Sequence, residues 1–206
     1  MNISGSTFAP LYGLVLGGGH SRRMGVDKAA IAYRGQSQIA VAMDLLEGLC
    51  SRKFVGIRPD QVHDPIFAGF PPLIDRYPGE GPLGAIVSAQ EQYPEAAWLV
   101  LACDLPFLDR PTLAYLVVNR GDAHQAVVYL SAHDGRAEPL CAVYEPRSAG
   151  GLSAAFQAGL RCARKGVESL HPYALNLPNH LALDNANTPA DKEMAMKQLS
   201  PGTKPL

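Results

Sequence analysis

The segment LYGLVLGGG constrains the fold more than any other stretch: a short apolar run over 11–16, free of charged or polar side chains, stops at Gly17, Gly18 and Gly19. A short apolar run cut off by glycines reads as a buried strand entering a loop. Residues 39–49 then carry apolar side chains at Ile39, Val41, Ala42, Leu45, Leu46 and Leu49, a helical period, and the apolar piece 54–57 follows. Strand, loop, helix and strand make the first unit. The alternation continues with a brief strand over 72–75, a glycine and proline loop over 76–81, a helix over 82–92 opened by Pro82, and WLVLAC over 98–103. That last run is continuously apolar, as expected of a central strand covered on both faces.

Further on, the pattern predicts a helix over 112–118, a strand over 125–130, a turn over 132–136 built on Asp134-Gly135, and a strand over 139–144. A helix over 151–163 and a last helix opened at Thr188-Pro189 complete the series. Strands alternating with helices give an α/β fold of three layers, a mostly parallel sheet with helices on both faces, which binds ligands at the carboxyl ends of its strands. A chain of 206 residues suits one such domain, predicted over 1–199, with 200–206 as a loose tail.

Composition removes several function classes. The hydrophobic fraction is 47% and the charged fraction 18%, which excludes bulk disorder. With 18 Lys and Arg against 19 Asp and Glu, the net charge of -1 gives no broad attraction to nucleic acid or to an anionic membrane. Any bound anion must be held by a local site. No apolar run approaches the roughly 20 residues that span a bilayer, and residues 1–10 lack the basic start and apolar core of a signal peptide, so the expected location is the cytoplasm. Cys50, Cys103, Cys141 and Cys162 are scattered without a C-x-x-C pair, which argues against a zinc site or a disulfide framework and for buried thiols.

Chemistry concentrates in LVLGGGHSRRMGVDK, residues 14–28. Glycines let the backbone approach a ligand and aim N–H groups at it, while Arg22, Arg23 and Lys28 bring cations to the same loop. These are the parts of a polyphosphate cradle. It is not the dinucleotide fingerprint, because Arg22 stands where G-x-G-x-x-G needs its third glycine, and no G-K-[ST] follows as a Walker A loop requires. Asp104, at the end of the predicted central strand, faces the same crevice and suits a hard cation such as Mg²⁺ bridging to phosphate oxygens. Its other reading is an aspartate capping the turn before Pro106. Asp75 ends the preceding strand and admits the same two readings. Glu80, Asn185 and Asn187 are loop polar groups with a structural reading when taken alone, and His63, His124, His133, His171 and His180 read as surface or turn residues.

Taken in order, LVLGGGHSRRMGVDKA, DRYPGEGPLGAI, LACDLPFL and DNANTP resemble the motif series of the MobA family, the molybdenum cofactor guanylyltransferases, over almost the whole chain. The first motif alone points only to the wider nucleotidyltransferase superfamily; R-M-G-x-D-K together with N-x-N-T-P favours the guanylyl branch. The resemblance implies a Rossmann-like nucleotidyltransferase fold and the transfer of GMP from GTP to molybdopterin bearing molybdenum, with release of pyrophosphate. It implies that Leu16, Gly17, Gly18 and Gly19 hold GTP, that Lys28 is the phosphate-binding lysine, and that Arg22 aids charge neutralisation. It likewise makes Asp75 a GTP contact, Asp104 the Mg²⁺ ligand, and Asn185 and Asn187 neighbours of the active site on the substrate side. Transient contact with other molybdenum cofactor biosynthesis proteins is a further implication. The alternative is a related nucleotidyltransferase with another nucleotide or acceptor, cytidylyl transfer to molybdopterin or nucleotidyl transfer to a sugar phosphate. Two departures stand out: Gly17 replaces the alanine of the usual L-A-G-G, a change expected to be tolerated, and Arg58 ends VGIR where some members place a GTP-contacting asparagine.

Overall fold

The computed structural model describes residues 8–17, 32–33 and 36–184. Along the chain run strand β1 (Leu11–Leu16), the short strands β2 (Ala32–Tyr33) and β3 (Gln36–Ser37), helix α1 (Gln38–Leu45), strands β4 (Arg52–Ile57) and β5 (Pro72–Ile74), and helix α2 (Pro82–Gln92). They are followed by β6 (Ala97–Ala102), α3 (Arg110–Val118), β7 (Ala126–Leu130), β8 (Ala137–Tyr144), α4 (Ala149–Gln157), α5 (Ala163–Ser169) and β9 (Tyr173–Leu175).

Seven strands form one sheet in the order β5-β4-β1-β6-β8-β7-β9, while β2 and β3 pair separately. β8 runs antiparallel to both its neighbours; the other four pairings of the large sheet are parallel. The apolar run of β1 is needed because both faces are covered. Leu11 and Val15 pack into one layer with Ile39 and Leu46 of the α1 region and Leu113 and Leu116 of α3. Tyr12 and Leu14 enter the opposite layer with Leu83 and Ile86 of α2, Leu152 of α4 and Val167 of α5. β6 splits in the same way, Leu99 and Leu101 to the first layer and Trp98 and Val100 to the second. Alternation of side chains along a strand with helices above and below is the expected three-layer arrangement.

Two predicted helices differ from those observed. The first ends at Leu45, short of the expected 49, because Leu49 and Cys50 both donate back to the Leu46 carbonyl and Gly48 takes a positive φ of 67°. The segment 151–163 is not one helix but parts of two. Gly159, at φ 96°, closes α4: its N–H donates to Phe156 and the Leu160 N–H donates to Ala155, which satisfies the last carbonyls of the helix. The turn on Asp134-Gly135 is present, with Gly135 at φ 68°. Among the cysteines, Cys103 and Cys141 are buried and Cys50 is half-buried, with burial pushing its thiol up to about 12, but Cys162 is exposed at the entry to α5, against expectation. The expected last helix at Thr188 and the tail 200–206 lie outside the described residues.

Candidate active site

The strand order reverses at β1. From β1 the chain adds β4 and β5 on one side, then returns to place β6 on the other. In open α/β sheets ligands bind at the carboxyl ends of the strands at such a reversal. There Leu16 pairs with Gly56 of β4 and with Ala102 of β6, so the exits of β1 and β6 lie one strand spacing apart, about 4.8 Å. Gly17 continues the ladder by one bond, its N–H donating to the Gly56 carbonyl at 3.0 Å. That N–H is consequently engaged within the sheet, and the space of the missing side chain is taken by core residues. A Cβ on Gly17 would lie 2.8 Å from the Phe67 ring and 3.1 Å from Val55 Cγ1.

Asp104 follows β6 by two residues, partly buried in a turn whose neighbours Cys103 and Leu105 are buried and anchor it. The aspartate that caps the following helix is Asp109, whose Oδ1 accepts the Thr112 N–H at 2.8 Å. Burial pulls the Asp109 carboxyl up, but the bonds from Thr112 and Asn179 outweigh it and hold the pKa below the usual value. Asp75 stands at the exit of β5, its N–H bonded to Ile57 at 2.8 Å and its Oδ1 accepting the Tyr77 N–H at 2.9 Å. Burial raises its pKa, and the Tyr77 bond only partly offsets that. Three strand spacings, about 14 Å, separate β5 from β6, so the two aspartates leave the sheet at separate points along its edge.

The loop 76–81 is braced from several sides. Arg76 N–H donates to Ser88 Oγ at 2.9 Å, Tyr77 donates from its hydroxyl to Glu91 at 2.8 Å, and Glu80 pairs with Arg161. Glu80 thus has the structural role read from the sequence. Arg58 does not extend into the crevice unpartnered: its guanidinium makes two bonds to Asp60, at 2.9 and 3.0 Å.

Two contacts that the sequence did not suggest tie the segment after β9 to the same carboxyl edge. Asn179 Nδ2 reaches Asp109 Oδ2 at 3.4 Å, and His133 Nε2 lies 2.9 Å from Asp184 Oδ1. Both join residues far apart in sequence with no local motif to announce them. Of the residues singled out from the sequence, Leu16, Gly17, Asp75 and Asp104 fall within the described residues and share one edge of the sheet. Gly18, Gly19, Arg22, Lys28, Asn185 and Asn187 lie outside the described residues.

Residues 13–172 match the family described as the MobA-like NTP transferase domain. The chain belongs to that family. A "Molybdenum cofactor biosynthesis bifunctional protein" of a Synechocystis species is 36% identical over 88% of this chain, which spans 52% of that longer protein. A "Probable molybdenum cofactor guanylyltransferase" of Chloroflexus aggregans is 30% identical, with 91% of this chain and 94% of that protein covered. Among solved structures, the Archaeoglobus fulgidus molybdopterin-guanine dinucleotide biosynthesis protein A superposes with a TM-score of 0.75 at 22% identity, over 90% of this chain and 97% of that one. The Thermus thermophilus 2-C-methyl-D-erythritol 4-phosphate cytidylyltransferase gives 0.66 at 14% identity, over 89% and 96%. These two share the fold. Within the family, this chain is a nucleotidyltransferase, an enzyme class that generally uses a divalent metal.

The residues at hand fit such an ion in one way. Among the described residues no three His, Cys, Asp or Glu side chains cluster as a cage. Asp104 offers one hard carboxylate beside the β1 exit, which suits a cation that keeps waters and takes its remaining ligands from substrate phosphates. No helix among the described residues is long and apolar enough to cross a membrane.

Proposed function

We propose that this MobA-like enzyme is a molybdenum cofactor guanylyltransferase that transfers GMP from GTP to the terminal phosphate of molybdopterin, releasing pyrophosphate. One observation supports the reading most: the pairing of Leu16 with Ala102 puts the exit of β1, at Gly17, one strand from the exit of β6, which Asp104 follows, in a chain of this family. Its relatives named for this activity support the choice of guanylyl over cytidylyl transfer. The acceptor phosphate is already anionic at neutral pH, so no protein nucleophile is required. An oxygen of that phosphate attacks the α-phosphorus of GTP in line, and the bond to the β-phosphate oxygen breaks.

Positioning and charge neutralisation then carry the rate. Asp104 is the residue that would hold Mg²⁺. That ion supplies Lewis-acid stabilisation of charge on the phosphate oxygens. The backbone of Gly18 and Gly19 would cradle the polyphosphate, with Arg22 and Lys28 offsetting charge on it. Asp75, about 14 Å along the sheet edge, suits the nucleoside end of an extended GTP. Asn185 and Asn187 are the candidates for contact with the pterin. The setting is the cytoplasm, and transient contact with proteins that supply or receive the pterin follows from the product's onward use. Pyrophosphate release measured with GTP, ATP, CTP and UTP and molybdopterin as acceptor tests the reading. GTP should dominate, whereas a preference for CTP, or turnover only with a sugar phosphate, would replace the guanylyl assignment by a sister activity.

A further inference from the structure

Gly17 is the last described residue before the glycine segment, and its surroundings leave no room for a side chain. Its N–H is held by Gly56, and an added Cβ would meet Phe67 Cε1 at 2.8 Å, Val55 Cγ1 at 3.1 Å and Ile39 Cδ1 at 3.4 Å. The tightest of these belongs to Phe67, a 5% exposed ring on the short turn Pro65–Phe67 between β4 and β5. That turn is fixed by its own cap, Asp64 Oδ1 accepting the Ile66 N–H at 3.0 Å, and by the Phe67 N–H bond to the Asp64 carbonyl at 3.1 Å. A ring carried on a capped turn and packed in the core has little freedom to move aside. Val55 and Ile39 meet the same space with the ends of aliphatic side chains.

We propose that Phe67 is a positioning residue for nucleotide binding: its ring seats the Gly17 backbone at the exit of β1. Glycine at 17 and phenylalanine at 67 are then a matched pair, each tolerated because of the other. This rests on the proposed reading of the glycine segment that begins at Gly17 as the polyphosphate site.

The test uses the full chain in four forms, wild type, Gly17→Ala, Phe67→Leu and the double variant, with GTP and Mg²⁺ as the probe. Gly17→Ala should weaken GTP binding by about tenfold or more and raise the KM for GTP while leaving the acceptor KM within about twofold; Phe67→Leu alone should cost about threefold. The double variant should recover to within about threefold of wild type, because the leucine frees the space that the new methyl occupies. Losses that simply multiply, Gly17→Ala binding GTP as wild type does, or an equal rise in both KM values would each overturn the proposal. If Gly17→Ala does not fold, a folded, GTP-binding double variant supports the pairing and an unfolded one overturns it. Wild-type chain that binds no nucleotide triphosphate would overturn the functional reading and this inference together, whereas binding without coupling overturns the inference alone.

Discussion

Two aspartates end strands of one sheet, and their surroundings give them different chemistry. Asp104 sits in a turn beside the β1 exit, partly open to solvent between two buried neighbours. Asp104→Ala should reduce pyrophosphate release by about 10²-fold or more, the scale of losing one preorganised electrostatic contact, with thermal stability changed by no more than about 1 kcal/mol. Near-normal turnover in that variant would remove Asp104 from the metal site. Asp75 is half-buried, and desolvation lifts its pKa above the unfolded value. The folded state therefore binds that proton more tightly, and the ionised carboxylate weakens the fold increasingly as pH rises from the unfolded pKa through the folded one. Asp75→Asn keeps an acceptor for the Tyr77 N–H and removes the charge. Melting curves should show the variant slightly more stable at pH 7, the gain vanishing below about pH 4, while its affinity for GTP falls. A lower melting temperature at pH 7 would show that the charge is stabilised by groups other than those named.

At the scale of elements, the break between α4 and α5 is the feature that binds the loop 76–81 to the rest of the molecule. It turns the chain so that Arg161 meets both Glu80 and the Phe156 carbonyl, the latter at 2.7 Å, with its guanidinium 4.2 Å from the centre of the Phe156 ring. Gly159→Ala places a side chain at φ 96° and should destabilise by about 1–2 kcal/mol, a loss of about 2–8 °C in melting temperature for a chain of this size. An unchanged melting temperature would mean that the turn relaxes without cost. The sequence missed this break because apolar residues on both sides of it keep a helical spacing, and only the conformation of Gly159 separates them. β1 and α2, by contrast, were legible to the residue, since glycines stop the one and Pro82 opens the other. β9 and α5 escaped notice because YAL and ARKGVES are too short to carry a period. Gly17, Asp75 and Asp104 were legible as candidates at the carboxyl ends of strands. The order of those strands was not, because it is a property of topology, and neither was the contact of Phe67 with Gly17, 50 positions apart in sequence.

Among the described residues, a buried ion pair and the two candidate aspartates lie at opposite ends of the sheet. At the amino end of the parallel strands the buried pair Arg120 and Glu145 makes bonds of 2.9 and 3.0 Å, and Arg120 also holds the Ala9 carbonyl at 2.9 Å. These side chains are 9% and 5% exposed, so their charges are matched within the protein and structural. At the carboxyl end stand Asp75, at the exit of β5, and Asp104, two residues beyond β6. Ligand that engages this end binds the folded state alone, because Gly17 and Asp104 are neighbours only through the pairing of β1 with β6. Mass action then stabilises the fold by about 2.7 kcal/mol at a ligand concentration 100 times Kd, equivalent to about 5–10 °C for a chain of this size. GTP with Mg²⁺ should therefore raise the melting temperature by that amount, and CTP or ATP at the same concentration by clearly less. In Asp104→Ala the shift from GTP should persist but lose most of its dependence on the metal, since the polyphosphate cradle proposed for the glycine segment is left unchanged. Equal shifts from all three nucleotides would separate phosphate binding from base selection and leave the guanylyl assignment without support. A full, metal-dependent GTP shift in Asp104→Ala would move the metal away from β6.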